Sequence, residues 1–145
     1  MAEAFVAKFF SELHREHLKN LGYTKTRYTF SRELPEYVER VQFQGSSWNG
    51  AGEPWRFYVN VGIQFRDLPR RTPDRDFPNT HAHGRIEEIV RADVGVLELA
   101  ENELHPMIKK IASLLVEASD ALRPLALAQY PKCKAGLGIW FPPRA

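Results

Sequence analysis

Residues 55–65 constrain the fold more than any other segment. Trp55, Phe57, Val59, Val61, Ile63 and Phe65 alternate with Arg56, Tyr58, Asn60, Gly62 and Gln64. A period of two puts the first set on one face of a strand and the second set on the other. A strand buried on one face only belongs in an antiparallel sheet, because crossover helices bury parallel strands on both faces. The apolar face then needs a cover, and the rest of the chain must supply it.

Two helical segments are expected to do so. Over residues 3–21, Phe5, Val6, Phe9, Phe10, Leu13, Leu18 and Leu21 recur at helical spacing and form one broad stripe. Gly22 follows at the position where a left-handed conformation ends a helix cheaply. Over residues 102–130, Leu104, Met107, Ile108, Ile111, Leu114, Leu115, Ala118 and Leu122 form a second apolar face. Asn102 is a plausible cap and Pro106 falls in the first turn. Pro124 is expected to break this helix, with a short second one over Leu125 to Tyr130.

Between the helices the period is two. A strand through Tyr28 and Phe30 ends near Arg32, Leu34 to Glu36 turn, and Tyr37 to Gln44 return. Residues 45–54, with three Gly, two Ser and one Pro, and residues 66–79, with three Pro, read as loops. A further strand is expected over His81 to Val90. The tail, residues 136–145, carries Ile139, Trp140 and Phe141 and is expected to dock on the domain. Residues 1–145 therefore read as a single α+β domain of two layers. It has one antiparallel sheet of about four strands, with the N- and C-terminal helices packed on one face.

Charge narrows the function. Lys and Arg total 20 and Asp and Glu total 18. Residues 1–23 and 92–145 are each balanced, so the whole excess lies in residues 24–91. Nucleic-acid domains concentrate a basic excess to neutralise phosphates, so no nucleic-acid partner is expected. Cys133 is the sole cysteine, which excludes an internal disulfide and a cysteine zinc site. It reads as an incidental thiol. Neither a basic, apolar leader nor a run of some 20 apolar residues is present, so a cytoplasmic protein without a membrane partner is expected. There is no Gly-rich phosphate loop, no G-x-S-x-G and no HExxH. No catalytic residue and no cofactor is assigned.

Chemistry-bearing side chains gather on the polar parity of the strands. Arg56, Tyr58, Asn60 and Gln64 share it, and Gln42 and Gln44 sit alongside if the neighbouring strand pairs in register. These are amides, Arg and Tyr rather than the Lys, Glu and Thr of an ordinary wet face. They suit a polar ligand or a peptide backbone. His81, His83 and Arg85 share one parity on the last strand. Two His at i and i+2 can ligate zinc, copper or nickel, and Asp74 and Asp76 precede them. The ordinary reading of both groups is the solvated side of a one-sided sheet. His14 and His17 read as boundary residues of the first helix. Arg66, Arg70, Arg71 and Arg75 could clamp oxyanions, but Asp67, Asp74 and Asp76 stand among them, which favours a self-paired loop.

The order of these segments resembles the bacterial family named domain of unknown function 4304. The resemblance rests on Leu21-Gly22-Tyr23, then Lys25, Tyr28 and Phe30-Ser31-Arg32. It continues through Val41-Gln42-Phe43-Gln44 with Ser46 and Trp48, then Phe57 to Gly62, and closes on His81-Ala82-His83-Gly84-Arg85-Ile86. Glu87 departs from the glycine that the family often has there. The resemblance implies an α+β domain and no activity.

Two functions remain open. The first is a non-enzymatic binding or interaction domain, an immunity-type inhibitor being one form of it. Its site would include Arg56, Tyr58, Asn60, Gln44 and Arg85, and its partner would be a protein or a small polar ligand. The second is a small ligand- or metal-binding enzyme with its site around His81, His83 and Arg85.

Overall fold

The structure is a computed structural model, described over residues 4–47, 49–50, 54–69, 80–90, 93–95, 97–135 and, for the backbone alone, 139–140. It is an α+β fold. Helix α1 (Ala4–Leu13) runs on as a π-helical segment, His14–Leu18. Strands β1 (Thr24–Thr26), β2 (Thr29–Glu33), β3 (Val38–Gly45) and β4 (Trp55–Gln64) follow as successive antiparallel neighbours. Then come β5 (Ala82–Arg85), α2 (Ile86–Val90), β6 (Glu98–Leu99), a 3-10 turn at Glu101–Glu103, α3 (Leu104–Lys134) and β7 (Ile139–Trp140). The sheet order is β1-β2-β3-β4-β5-β7, and β6 pairs with the start of β4.

The alternation of β4 survives in the structure. Its odd residues from Trp55 to Ile63 are buried, while Arg56 and Tyr58 are exposed. Helix α1 covers the apolar face. The Phe9 ring lies 6.1 Å from Phe43 and the Phe10 ring 5.0 Å from it. Helix α3 lies on the same face and buries Ile108, Ile111, Leu115 and Leu122 completely or nearly so. Each fully buried large apolar side chain contributes roughly 1.5–3 kcal/mol. Gly22 takes φ +95, the left-handed end that its place after the stripe predicts.

The structure corrects several expectations. The sheet has more than four strands, because β1, β6 and β7 are short and β1 is exposed throughout. Residues after Arg85 do not continue as a strand. Ile86 and Ile89 are both buried at i and i+3, so a helical turn buries them together. Glu87 and Glu88 therefore stand on a helix. Leu21, counted in the apolar stripe, is 39% exposed, because the helix ends at Leu18 and Leu21 lies in the turn that follows. The cap expected at Asn102 is absent. Asn102 lies within the 3-10 turn, and no side chain caps α3.

Pro124 does not break α3, which runs through both Pro124 and Pro131. Each proline removes a donor to the carbonyl four residues back, here those of Asp120 and Leu127. All four residues are exposed, so water can take the freed carbonyls. The tail was expected to dock, and Ile139–Trp140 does pair with β5, in parallel. Residues 136–138 and 141–145 lie outside the described residues.

Candidate functional site

The two faces of the sheet each carry a polar cluster. The covered face holds the first. Arg32 and Glu39 share the parity of Phe30, Val41 and Phe43 and stand directly opposite each other in β2 and β3. Their charges therefore enter the core as a pair, at 3.5 Å. Glu39 is 1% exposed. Tyr23 donates to its Oε1 in a short hydrogen bond, and Ser119 of α3 donates to its Oε2 at 2.7 Å. Arg32 donates to Ser119 Oγ and to the Leu21 carbonyl, and its guanidinium lies 4.7 Å over the Tyr23 ring. Burial holds the Tyr23 hydroxyl far above its ordinary pKa, and the Glu39 carboxylate adds to the shift. Burial also pushes Tyr37 up to about 12. Its hydroxyl is buried without a hydrogen-bond partner among the described residues.

The other face holds the second cluster, and register builds it. Gln42 faces Asn60 and Gln44 faces Tyr58 across β3 and β4, while Arg85 of β5 faces Asn60 from the other side. Asn60 Nδ2 donates to Gln42 Oε1 at 3.1 Å and to Gln44 Oε1 at 3.0 Å. Both glutamine carbonyls thereby accept from one amide, and no bond is made by either glutamine's amino group among the described residues. Farther along, Arg40 donates to Ser31 Oγ at 3.0 Å and to Gln64 Oε1 at 3.2 Å. This face is only partly wet. Asn60 and His83 are each 5% exposed. A Cβ at Gly62 would meet Thr80 Cγ2 at 2.9 Å and His83 Cβ at 3.0 Å, so the 80–83 segment closes that end and requires glycine beneath it.

Arg85 stands apart from this network. Its guanidinium lies 3.9 Å over the ring of Tyr58, which is 37% exposed. It makes no hydrogen bond and no ion pair among the described residues, and its Nη1 is buried without a partner. A buried guanidinium donor left unpaired costs more than a neutral one. Beside it β5 pairs with residues 60–63 and β6 with residues 55–56, the Phe57 amide donates to the Leu97 carbonyl at 3.0 Å, and Tyr58 and Val59 have no strand partner on that edge among the described residues. A cavity of about 240 Å3 lies there, lined by Arg56, Phe57, Tyr58, Glu87, Gly95 and Leu97. Arg56 is held by Glu98, with Nε and Nη2 at 3.0 and 2.5 Å from one carboxylate oxygen.

The structure thus brings together Tyr58, Arg85, Asn60 and Gln44, with Arg56 at the rim. It separates His81 from them. His81 precedes β5. Its Nδ1 accepts from the Phe65 amide at 3.0 Å and its Nε2 donates to the Pro69 carbonyl at 2.9 Å. Both ring nitrogens are engaged, which leaves none for a metal. His83 places Nδ1 3.3 Å from Thr80 Oγ1. Asp74 and Asp76, and Arg70, Arg71 and Arg75, lie outside the described residues. Arg66 ion-pairs with Glu33 at 3.8 Å. His14 and His17 are half-buried boundary residues, and His14 Nε2 donates to the Tyr23 carbonyl. Cys133 is buried, its Sγ 3.7 Å from the His81 carbonyl.

Sequence reasoning missed Glu39 and Arg32 as a buried pair. The signal was present, since both are charged residues at the apolar parity of their strands. It also missed Glu12, Glu16 and His105, whose ligand atoms lie within 4.8 Å of one another. Arg15 already stands 4.0 Å from Glu12 and 3.4 Å from Glu16, and Glu16 and His105 are exposed.

Among the described residues no helix is long and apolar enough to cross a membrane. A family model described as Domain of unknown function (DUF4304) matches residues 14–124. No curated protein and no solved structure matches the chain.

Proposed function

We propose, for a chain that belongs to the DUF4304 family, a role as a non-enzymatic binding domain whose sheet face recognises an acidic segment of a protein partner. The observation that carries this reading is Arg85, a half-buried guanidinium without one hydrogen bond among the described residues. Stacking on Tyr58 holds its plane in place, so little side-chain entropy remains to be lost on binding. Arg presents a planar fork that matches a carboxylate. The amino groups of Gln42 and Gln44, which make no bond among the described residues, would add donors on the same face for an acceptor-bearing partner. Tyr and Arg are also the side chains that most often dominate protein interfaces. Arg56 at the rim is neutralised by Glu98, so the attraction for an acidic partner would fall to Arg85.

The engaged ring nitrogens of His81 favour this reading over a metal enzyme built on His81 and His83. The test is affinity capture from native cell extract followed by mass spectrometry, with wild-type protein and Arg85→Ala side by side. An acidic partner retained by wild type and lost by the variant supports the reading. An identical set of captured proteins overturns it.

A further inference from the structure

We propose a second binding site, separate from the polar sheet face. The groove between α1 and the β1–β2 hairpin takes a small molecule that carries a phosphomonoester on a planar ring. The groove has a volume of about 420 Å3 and is lined by Ala7, Phe10 and Ser11 of α1 and by Lys25, Arg27 and Tyr28 of the hairpin. Among the described residues its two cations are unbalanced: no carboxylate lines it, and neither the Lys25 nor the Arg27 side chain has an ion pair or hydrogen bond. Both belong to the segment that holds the whole basic excess of the chain. A phosphomonoester, with its second pKa near about 6, carries close to two negative charges at neutral pH. Two cations match it better than they match a single carboxylate.

The floor is aromatic. The Tyr28 ring lies 4.7 Å from that of Phe10, tilted by 32°. Phe10 is 1% exposed but Tyr28 keeps 36% of its surface. A planar ring laid there would bury apolar area that the fold itself leaves open.

The backbone of Arg27 points the same way, independently. Thr26 pairs with Thr29, so Arg27 and Tyr28 form a two-residue hairpin loop. Arg27 takes φ +54, the single positive φ among described residues other than glycine. Positive φ at the first central position alone is the pattern of a II′ turn, where glycine is the unstrained choice. An arginine there costs backbone energy that glycine would not. Strain held at a loop tip is a pointer to use of the side chain, and this side chain lines the groove.

The test is titration calorimetry with phenyl phosphate, set beside thermal unfolding, on wild type and Arg27→Gly. Wild type is expected to bind phenyl phosphate, and to bind inorganic phosphate and phenol at least about tenfold more weakly. Arg27→Gly is expected to melt higher than wild type, because the turn relaxes, and to bind phenyl phosphate at least about tenfold more weakly. Arg85→Ala is expected to bind phenyl phosphate as wild type does, which keeps this site distinct from the sheet face. Absence of binding to wild type at millimolar phenyl phosphate overturns the proposal. So does unchanged affinity in Arg27→Gly, or equal affinity for phenol or for inorganic phosphate. Loss of binding in Arg85→Ala would move the ligand to the sheet and overturn it as well.

Discussion

On the covered face of the sheet, Glu39 collects Tyr23, Ser119 and Arg32 and is all but removed from water. On the other face, Arg85 collects no acceptor among the described residues and lies on one aromatic ring. The two charges sit on the same sheet, two strands apart. The covered cluster joins β2, β3, the chain before β1 and α3, so its bonds serve the fold. Desolvation makes each of them obligatory, since an unpaired buried charge costs several kcal/mol. The open cluster joins only neighbouring strands that already pair through their backbones. Its amides are satisfied by one another, and its guanidinium is left over. A satisfied buried charge adds to stability, and the held but unsatisfied one at the rim is what the proposed recognition role draws on. The division is not perfect, because Glu12 Oε2, Arg32 Nε and the Tyr37 hydroxyl are also buried without partners among the described residues.

The comparison predicts a graded series. Glu39→Ala has the largest effect, because it leaves Arg32 uncompensated in the core. It is expected to cost about 3–5 kcal/mol in urea unfolding. A loss below about 1 kcal/mol would mean that the covered cluster is not structural.

Alkaline pH comes next. Tyr37 keeps its proton to about pH 12 when folded but loses it near pH 10 when unfolded. The stability this supplies is whole below pH 10 and drains as pH rises through 12, by about 1.4 kcal/mol per pH unit. Tyr23 shifts in the same direction and steepens the loss. Tyr37→Phe should flatten the curve measured by unfolding between pH 9 and about 12, and at neutral pH it should cost little, since the hydroxyl it removes has no partner.

Asn60→Ala breaks two neutral hydrogen bonds on the other face and is expected to cost about 1–2 kcal/mol. Arg85→Ala is expected to be smallest in stability, under about 1 kcal/mol by the same unfolding assay, since only a ring contact is lost. If Arg85→Ala destabilised more than Asn60→Ala, the open face would be structural and the contrast would fail.

How far these features could be read in advance depends on their range. The strand at 55–65 and helix α1 were legible because a long period averages out single residues. The switch from strand to helix at Ile86 was not, because five residues fit either period. Strands β6 and β7 have two residues each and no pattern of their own, so only their neighbours define them. Of the candidate site, the shared parity of Arg56, Tyr58 and Asn60 was legible from alternation. The isolation of Arg85 was not, since it depends on where β5 stops and what stands opposite. The Arg32 and Glu39 pair lay in plain view as two charges at apolar parity, and reading each strand separately concealed it.

The prolines of α3 carry one more consequence. A ladder missing a rung at Pro124 and another at Pro131 is joined less tightly across those points than along Leu104 to Asp120. The helix should then open in pieces. Amide hydrogens near Ile111 and Leu115 would exchange only with global unfolding, while those from Leu125 to Lys134 would exchange through a smaller, separate opening. Gln129 and Cys133 are buried on that last stretch, so the thiol would be sheltered by the least cooperative part of the helix and should react with a thiol reagent well before the fold is lost.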